Sequence, residues 1–235
     1  VLRDFGVHSH IEIIPNGVEL TRFQSARPEI ERASLGLREG DKVLIYVGRL
    51  GPEKNLMMLL RAFAGAQAAV DNLHLIVAGG GVDLDNLRDW CDRAGIADRV
   101  HFLGELPYDA IPTYLHMADA FVTASTSEVH PLSLIEALAA GLPVIGIQSP
   151  GVEDIIQDGV NGFLCRNDIA DFTARQVRMM LDDQLRMSLG ARAADSAQSY
   201  DISTTSSQLL EHYNTLVANH NGRPREIRRL RRFLK

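Results

Sequence analysis

Cysteine is scarce in this sequence: two thiols, Cys91 and Cys165, in 235 residues, far apart and outside any metal-spaced cluster. That argues against a cysteine-ligated metal centre and reads as reduced thiols in a cytoplasmic setting, with a single disulfide as the lesser alternative. No apolar run approaches the roughly 20 residues that span a bilayer, and no basic segment followed by an apolar core opens the chain. Neither a membrane span nor a signal peptide is therefore expected. A basic excess is also missing: the net charge of −6 argues against a general polyanion binder, and no nucleic-acid partner is expected. The charge is uneven, however, because residues 223–235 hold seven Arg or Lys against one Glu, leaving −12 for the rest. The first residue is Val1 rather than Met, and residues 1–18 begin as though in mid-helix, so the chain is expected to be a piece of a longer protein.

A hydrophobic content of 46% is enough for one large core or two small ones. Short apolar, β-branched runs at 42–47, 73–79, 100–104, 120–125, 143–147 and 162–165 each precede a stretch with helical apolar spacing. Those stretches cover 52–69, 82–94, 108–117, 132–140 and 152–157, then a long helical region from about 168 to 220, interrupted most visibly at Gly190 and at Tyr200-Asp201. Six strands alternating with helices predict an α/β fold, a doubly wound parallel six-stranded sheet of Rossmann-like type. Right-handed crossovers put every strand's carboxyl end on one edge, where such sheets bind ligands. A nicotinamide site would need G-x-G-x-x-G after the first strand. Gly48 and Arg49 stand there instead, and the glycine run 79–81 follows the second strand, as a nucleotide-proximal loop or a close turn.

Two constellations carry candidate chemistry. In GRLGPEKN, residues 48–55, Arg49 and Lys54 flank a Gly51-Pro52 turn, with Lys54 expected in the first turn of the following helix. Cations beside unpaired N–H groups suit a phosphate, although solvated loop cations fit the spacing equally well. In EVHPLSLIEALAAGLPVI, residues 128–145, Glu128 follows a strand and Glu136 lies on an otherwise apolar helix. A helix starting near Pro131 aims the amides of Leu132 and Ser133 toward Glu128, an arrangement that holds a diphosphate between carboxylates. Glu136 is then either on a narrow solvated face or buried with a partner. An Asp-x-Asp at Asp83 and Asp85 reads as a helix cap and dipole partner rather than a metal site.

Gly48, Arg49, Lys54 and Asn55, then Glu128 and Glu136, then the Ala140-Gly141-Leu142-Pro143-Val144 strand entry resemble the C-terminal domain of glycosyltransferase family 4. The likeness extends to PNGVE at 15–19 and SPGVEDIIQDGVNGF at 149–163, running from about Ile11 to Tyr213. It implies a GT-B architecture of two facing Rossmann-like domains, of which this chain holds the donor-binding one. The function implied is a retaining, metal-independent transferase that uses a nucleotide diphosphate sugar, a UDP- or GDP-sugar, as donor substrate, with no separate cofactor. Carried over by position, Gly48, Arg49 and Lys54 meet the diphosphate, Glu136 the ribose, Glu128 the transferred sugar, the Leu132 and Ser133 amides a phosphate, and Leu103 and Gly104 the base. Arg49, Lys54 and Glu128 are the catalytic candidates. The chain departs from the family pattern at Val129, His130 and Pro131, where glycines or an aromatic are usual; proline removes one N–H donor. His130 either replaces a contact or has no role.

The resemblance also implies that residues 1–22 are an interdomain linker with a remnant of a missing N-terminal acceptor domain. Residues 23–200 are then the nucleotide-sugar-binding domain, 201–222 a C-terminal helix, and 223–235 a basic tail. In that tail Ile227, Leu230, Phe233 and Leu234 recur at helical spacing among arginines, which suits an anionic membrane surface at the inner face, with a solvated or disordered end or a segment docked on the missing N-terminal domain as the alternatives. On this reading the isolated chain binds donor without transferring it, to a lipid, glycan or small-molecule acceptor. Alternatives from other classes are a nucleotide-sugar epimerase of the same architecture and a non-catalytic nucleotide-binding module.

Overall fold

The computed structural model describes residues 3–24 and 32–220; the basic tail expected at 223–235 lies outside them. Six strands form one parallel sheet: β1 (Lys42–Val47), β2 (Leu73–Ala78), β3 (Val100–Gly104), β4 (Ala120–Thr123), β5 (Val144–Ile147) and β6 (Gly162–Cys165). Their order is β3-β2-β1-β4-β5-β6, every pairing parallel. The order reverses between β1 and β4, the switch point at which the connections diverge and leave a crevice at the carboxyl edge. The expected fold class is the observed one.

Helices cover both faces: α1 (Leu20–Gln24), α2 (Leu56–Gln67), α3 (Leu84–Ala94), α4 (Ile111–Met117), α5 (Leu132–Ala139), α6 (Ile169–Leu181), α7 (Asp183–Ala197) and α8 (Ile202–His220). The period of two in β1 divides the core. Leu44 and Tyr46 join the cluster that includes Phe63, Leu87 and Phe172 under α2, α3 and α6. Val43 and Ile45 join the other, with Phe23, Leu115 and Leu138 from α1, α4 and α5. Cys91 and Cys165 are free and buried, and burial raises their thiols to about 11 and about 12 respectively. No helix among the described residues is long and apolar enough to cross a membrane.

Three expectations need correction. The helix predicted over 152–157 is a series of turns. Ile156 N–H does bond back to Val152, but the buried Asn161 then captures the chain, accepting from Gln157 N at 2.8 Å and donating to the Ile155 carbonyl at 3.0 Å. The long C-terminal helical region breaks at Asp182, not Gly190. Asp182 adopts an extended conformation and caps α7, its carboxylate accepting from Leu185 N at 2.9 Å. Gly190 stays inside α7 because a Cβ there would lie 2.7 Å from the Gly141 carbonyl oxygen. Finally, Asp83 occupies the N-cap position of α3 but makes no side-chain cap bond, so only its place near the helix dipole matches the expected role.

The N-terminal segment is tied to the far end of the chain. Val18 N donates to the Tyr200 carbonyl at 2.8 Å, Ile202 N donates to Val18 at 3.0 Å, and Leu20 and Phe23 are buried. The expected boundary at 22/23 falls inside α1, and the expected break at Tyr200-Asp201 separates α7 and its trailing turn from α8.

Candidate functional site

Strand β1 ends at Val47, and the next three residues run alongside the glycines that follow β2. Gly48 N donates to Ala78 O at 3.0 Å and Leu50 N to Gly80 O at 2.8 Å. The approach is close enough to need glycine: a Cβ on Gly79 would lie 1.9 Å from the Gly48 carbonyl oxygen, and one on Gly81 2.2 Å from that of Leu50. Of the two readings open for the run, the close turn is therefore a geometric fact. It fixes the backbone from which Arg49 projects. Lys54 does not lie in the first turn of α2, as expected, but in a separate 3-10 turn, Pro52–Lys54. Asn55, in the left-handed region at φ 51°, separates that turn from the helix, a conformation Asn tolerates better than most side chains.

Beyond β4 the chain returns over this turn. Ser125 Oγ and Thr126 N both donate to the Glu53 carbonyl at 3.3 Å, and Ser149 Oγ donates to the Ser125 carbonyl at 2.8 Å. Gly151, at φ 76°, packs so tightly that a Cβ would lie 2.7 Å from the Glu128 carbonyl oxygen. So positioned, Glu128 meets Lys54: the carboxylate accepts from Nζ at 2.5 Å, with both side chains more than four-fifths buried. Arg49 pairs with Glu53 at 2.5 Å but leaves most of its side chain exposed. Lys54 is thus a buried, paired cation, whereas Arg49 is paired but solvated.

The cleft over these groups, about 350 Å³, is lined by Gly48, Arg49, Lys54, Glu128, Leu132 and Ser133 together with Tyr46 and His130. Helix α5 opens there behind Pro131, which makes no side-chain cap. The N–H groups of Leu132 and Ser133 occupy the first turn, where no carbonyl four residues back lies within the helix. The His130 ring packs edge-on against Tyr200 at 5.5 Å, its buried Nδ1 has no hydrogen-bond partner among the described residues, and burial lowers its pKa.

Glu136, Leu103 and Gly104 are not in this lining. Glu136 is buried rather than on a solvated face, and its partner is a neutral phenol: Tyr108 Oη donates to Glu136 Oε1 at 3.0 Å. Burial raises the Glu136 carboxyl above its usual value, against the lowering effect of that hydrogen bond. Burial and the adjacent carboxylate raise the Tyr108 phenol to about 12. The Arg22 guanidinium lies over the Tyr108 ring at 5.0 Å, and Arg22 also pairs with Asp109 at 2.6 Å. Tyr108 thus links the segment after β3, the strand that ends in Leu103 and Gly104, to α5. Gly104 holds the neighbouring glycine loop, its carbonyl accepting from Gly79 N at 2.8 Å.

Sequence reasoning missed Tyr46 and Tyr108. Tyr46 reads as an apolar strand residue, yet its hydroxyl donates to the Arg49 carbonyl at 2.9 Å. Its alternation with Leu44 carried no sign of that bond. Tyr108 sits in a helical stretch whose spacing explains it as packing; only a polar aromatic just after a strand end hinted otherwise.

A family model described as "Glycosyl transferases group 1" matches residues 28–196. Alpha-monoglucosyldiacylglycerol synthase of Streptococcus pneumoniae is 36% identical over 70% of this chain and 38% of its own length. D-inositol 3-phosphate glycosyltransferase of Mycobacterium marinum is 32% identical over 94% of this chain and 48% of its own. The chain thus spans half or less of the length of these two relatives. A crystal structure of Anabaena Alr3699/HepE in complex with UDP and glucose superposes with a TM-score of 0.79 at 25% identity, over 87% of this chain and 57% of that one. With its parallel sheet, its cation-bearing carboxyl edge and a family match across most of its length, the chain belongs to the group 1 glycosyl transferases and has the fold of their GT-B C-terminal domain.

Proposed function

We propose that this chain is the donor-binding half of a retaining glycosyltransferase that moves a sugar from a UDP- or GDP-sugar to a lipid, glycan or small-molecule acceptor. The observation that carries the reading is the convergence of Arg49, Lys54 and the first-turn amides of α5 on one cleft at the sheet's switch point. Breaking a bond from sugar to diphosphate builds negative charge on the departing oxygen. Fixed cations and helix-end amides stabilise that charge, so the reaction is proposed to need no divalent metal. Lys54 and Arg49 take the diphosphate, Glu128 the sugar hydroxyls, and Glu136 the ribose, with the base near Leu103 and Gly104. The UDP and glucose in the Anabaena complex support a nucleotide-sugar ligand.

The acceptor side is assigned to a further domain, residues 1–22 to the linker that leads from it and 201–222 to the helix that closes the donor domain at 23–200. The isolated chain then binds donor without transferring it. The tail, 223–235, is proposed to hold the enzyme at the cytoplasmic face of an anionic membrane; vesicle sedimentation that is unchanged without these residues would remove that element. The donor assignment is tested by calorimetric titration of the chain with UDP-, GDP- and ADP-sugars. Saturable binding of one class, weakened in Glu136→Ala, is expected. Absence of binding by all three overturns it.

A further inference from the structure

Away from the cleft, the fold brings together two segments that sequence spacing does not connect. His10 and Glu12 come from the extended stretch before α1, and His212 from the middle of α8. One donor atom from each lies within 4.8 Å of the other two. His10 Nε2 shares a 2.6 Å hydrogen bond with Glu12 Oε2, and the His10 and His212 rings approach with centroids 6.2 Å apart, tilted by 33°.

The two segments are already held together lower down, by the Val18 bonds to Tyr200 and Ile202 and by Gly17, where a Cβ would lie 2.2 Å from Thr205 Oγ1. The stretch over residues 10–14 therefore runs beside α8 as a consequence of that anchor. Glu12 and His212 also line the groove between the two segments, together with Gln208 and Glu211.

From this we infer that His10, Glu12 and His212 form a binding site for a borderline divalent transition metal of the zinc class, which staples residues 10–12 to α8. Two imidazoles and a carboxylate match zinc, cobalt and nickel, whereas magnesium and calcium favour all-oxygen sets. Zinc–ligand bonds of about 2.0–2.2 Å put neighbouring donors about 3.3 Å apart in a tetrahedron. To reach that spacing His10 Nε2 and Glu12 Oε2, now 2.6 Å apart, open slightly while the His212 donor, within 4.8 Å, closes on them. The cation enters where His10 Nε2 and Glu12 Oε2 now bond to each other, with the imidazole proton carried on Nδ1, and water completes the fourth position. The proposal is independent of the donor reading.

The test is a titration of the untagged 235-residue chain with cobalt(II), followed by visible absorption and by the imidazole resonances, with zinc as competitor. One cobalt per chain is expected, with the resonances of His10 and His212 responding together and the thermal midpoint rising with metal. His10→Ala and His212→Ala should each weaken binding by at least about tenfold. His10 is well exposed, so its variant is expected to keep the metal-free midpoint of the parent. Binding retained in His212→Ala overturns the inference, because His8 and His10 would then be chelating locally. So does the absence of saturable binding, or a response at only one of the two rings, a readout that needs no variant to fold.

Discussion

Glu128 and Glu136 stand eight positions apart in sequence, before and within α5, yet Glu128 faces an ammonium at 2.5 Å while Glu136 faces a phenol at 3.0 Å. On the Glu128 side every charge is matched: Lys54 with Glu128, Arg49 with Glu53. A partly buried ion left alone is costly, so Lys54 is held by a carboxylate, which on the proposed reading a diphosphate displaces. On the Glu136 side the acid is buried with a neutral donor, whose hydrogen bond offsets only part of the cost of its charge. One end of the site holds ion pairs, whereas the other holds a carboxyl whose ionisation the protein itself disfavours.

The change expected to disrupt the ion-pairing end most is Gly79→Ala. Its methyl must enter within 1.9 Å of the Gly48 carbonyl oxygen from a backbone at φ 144°, a clash and a strain together worth about 3 kcal/mol or more. The thermal midpoint should fall by roughly 6–12 °C for a domain of this size, and the Arg49 loop should move with it. A midpoint within about a degree of the parent would show that the loop yields freely and that the glycines do not set the cation geometry. Next comes Lys54→Ala. It removes a charged partner of Glu128 and, on the proposed reading, of the diphosphate, worth about 1.5–3 kcal/mol. Affinity for a nucleotide sugar should fall roughly 10- to 100-fold by calorimetry; equal affinity would sever Lys54 from the donor.

What the sequence made legible follows from period and position. Residues 42–47 and 162–165 read as strands because apolar runs of that length bounded by turn residues have few other homes, and both are strands at those bounds. The run 152–157 read as helix because Val152, Ile155 and Ile156 recur at helical spacing, but those residues meet the same apolar environment from turns pinned by Asn161. Spacing reports which side chains are buried, not which backbone delivers them. The same limit hid Tyr108 and Tyr46, whose polar tips act at distances set by packing. It also hid His130, whose contact with Tyr200 joins residues distant in sequence. Arg49, Lys54, Glu128, Leu132 and Ser133 converge as strand-end logic expects; Glu136 lies deeper, behind Tyr108.

At the buried end a smaller effect is expected, and it depends on pH. Burial raises the folded carboxyl of Glu136 above its usual 4.5, so the folded chain favours the protonated form. The stability this group contributes is complete below the unfolded value and is lost as pH rises through the folded one. Glu136→Gln keeps the acceptor for Tyr108 but cannot ionise. Parent and variant should therefore unfold alike near pH 4, and the variant should gain on the parent as pH rises toward 7. The slope is at most about 1.4 kcal/mol per pH unit between the two values. Parallel curves across that range would place Glu136 in the same class as Glu128, and the contrast between the two ends would collapse.

The smallest effect should come from Tyr46→Phe, and it separates the two ends by ligand rather than by pH. Burial, reinforced by Glu128 and Glu53, pushes the Tyr46 phenol far above its ordinary range, so the hydroxyl remains a donor at any working pH. It holds the backbone of Arg49 and touches nothing at Glu136. Removing one such bond costs about 1 kcal/mol, which corresponds to roughly a fivefold loss of affinity. If the ion-pairing end takes the diphosphate, that loss appears for UDP and not for uridine in paired titrations. If both ligands weaken equally, Tyr46 supports the cleft as a whole, and the division into two ends is wrong at this residue.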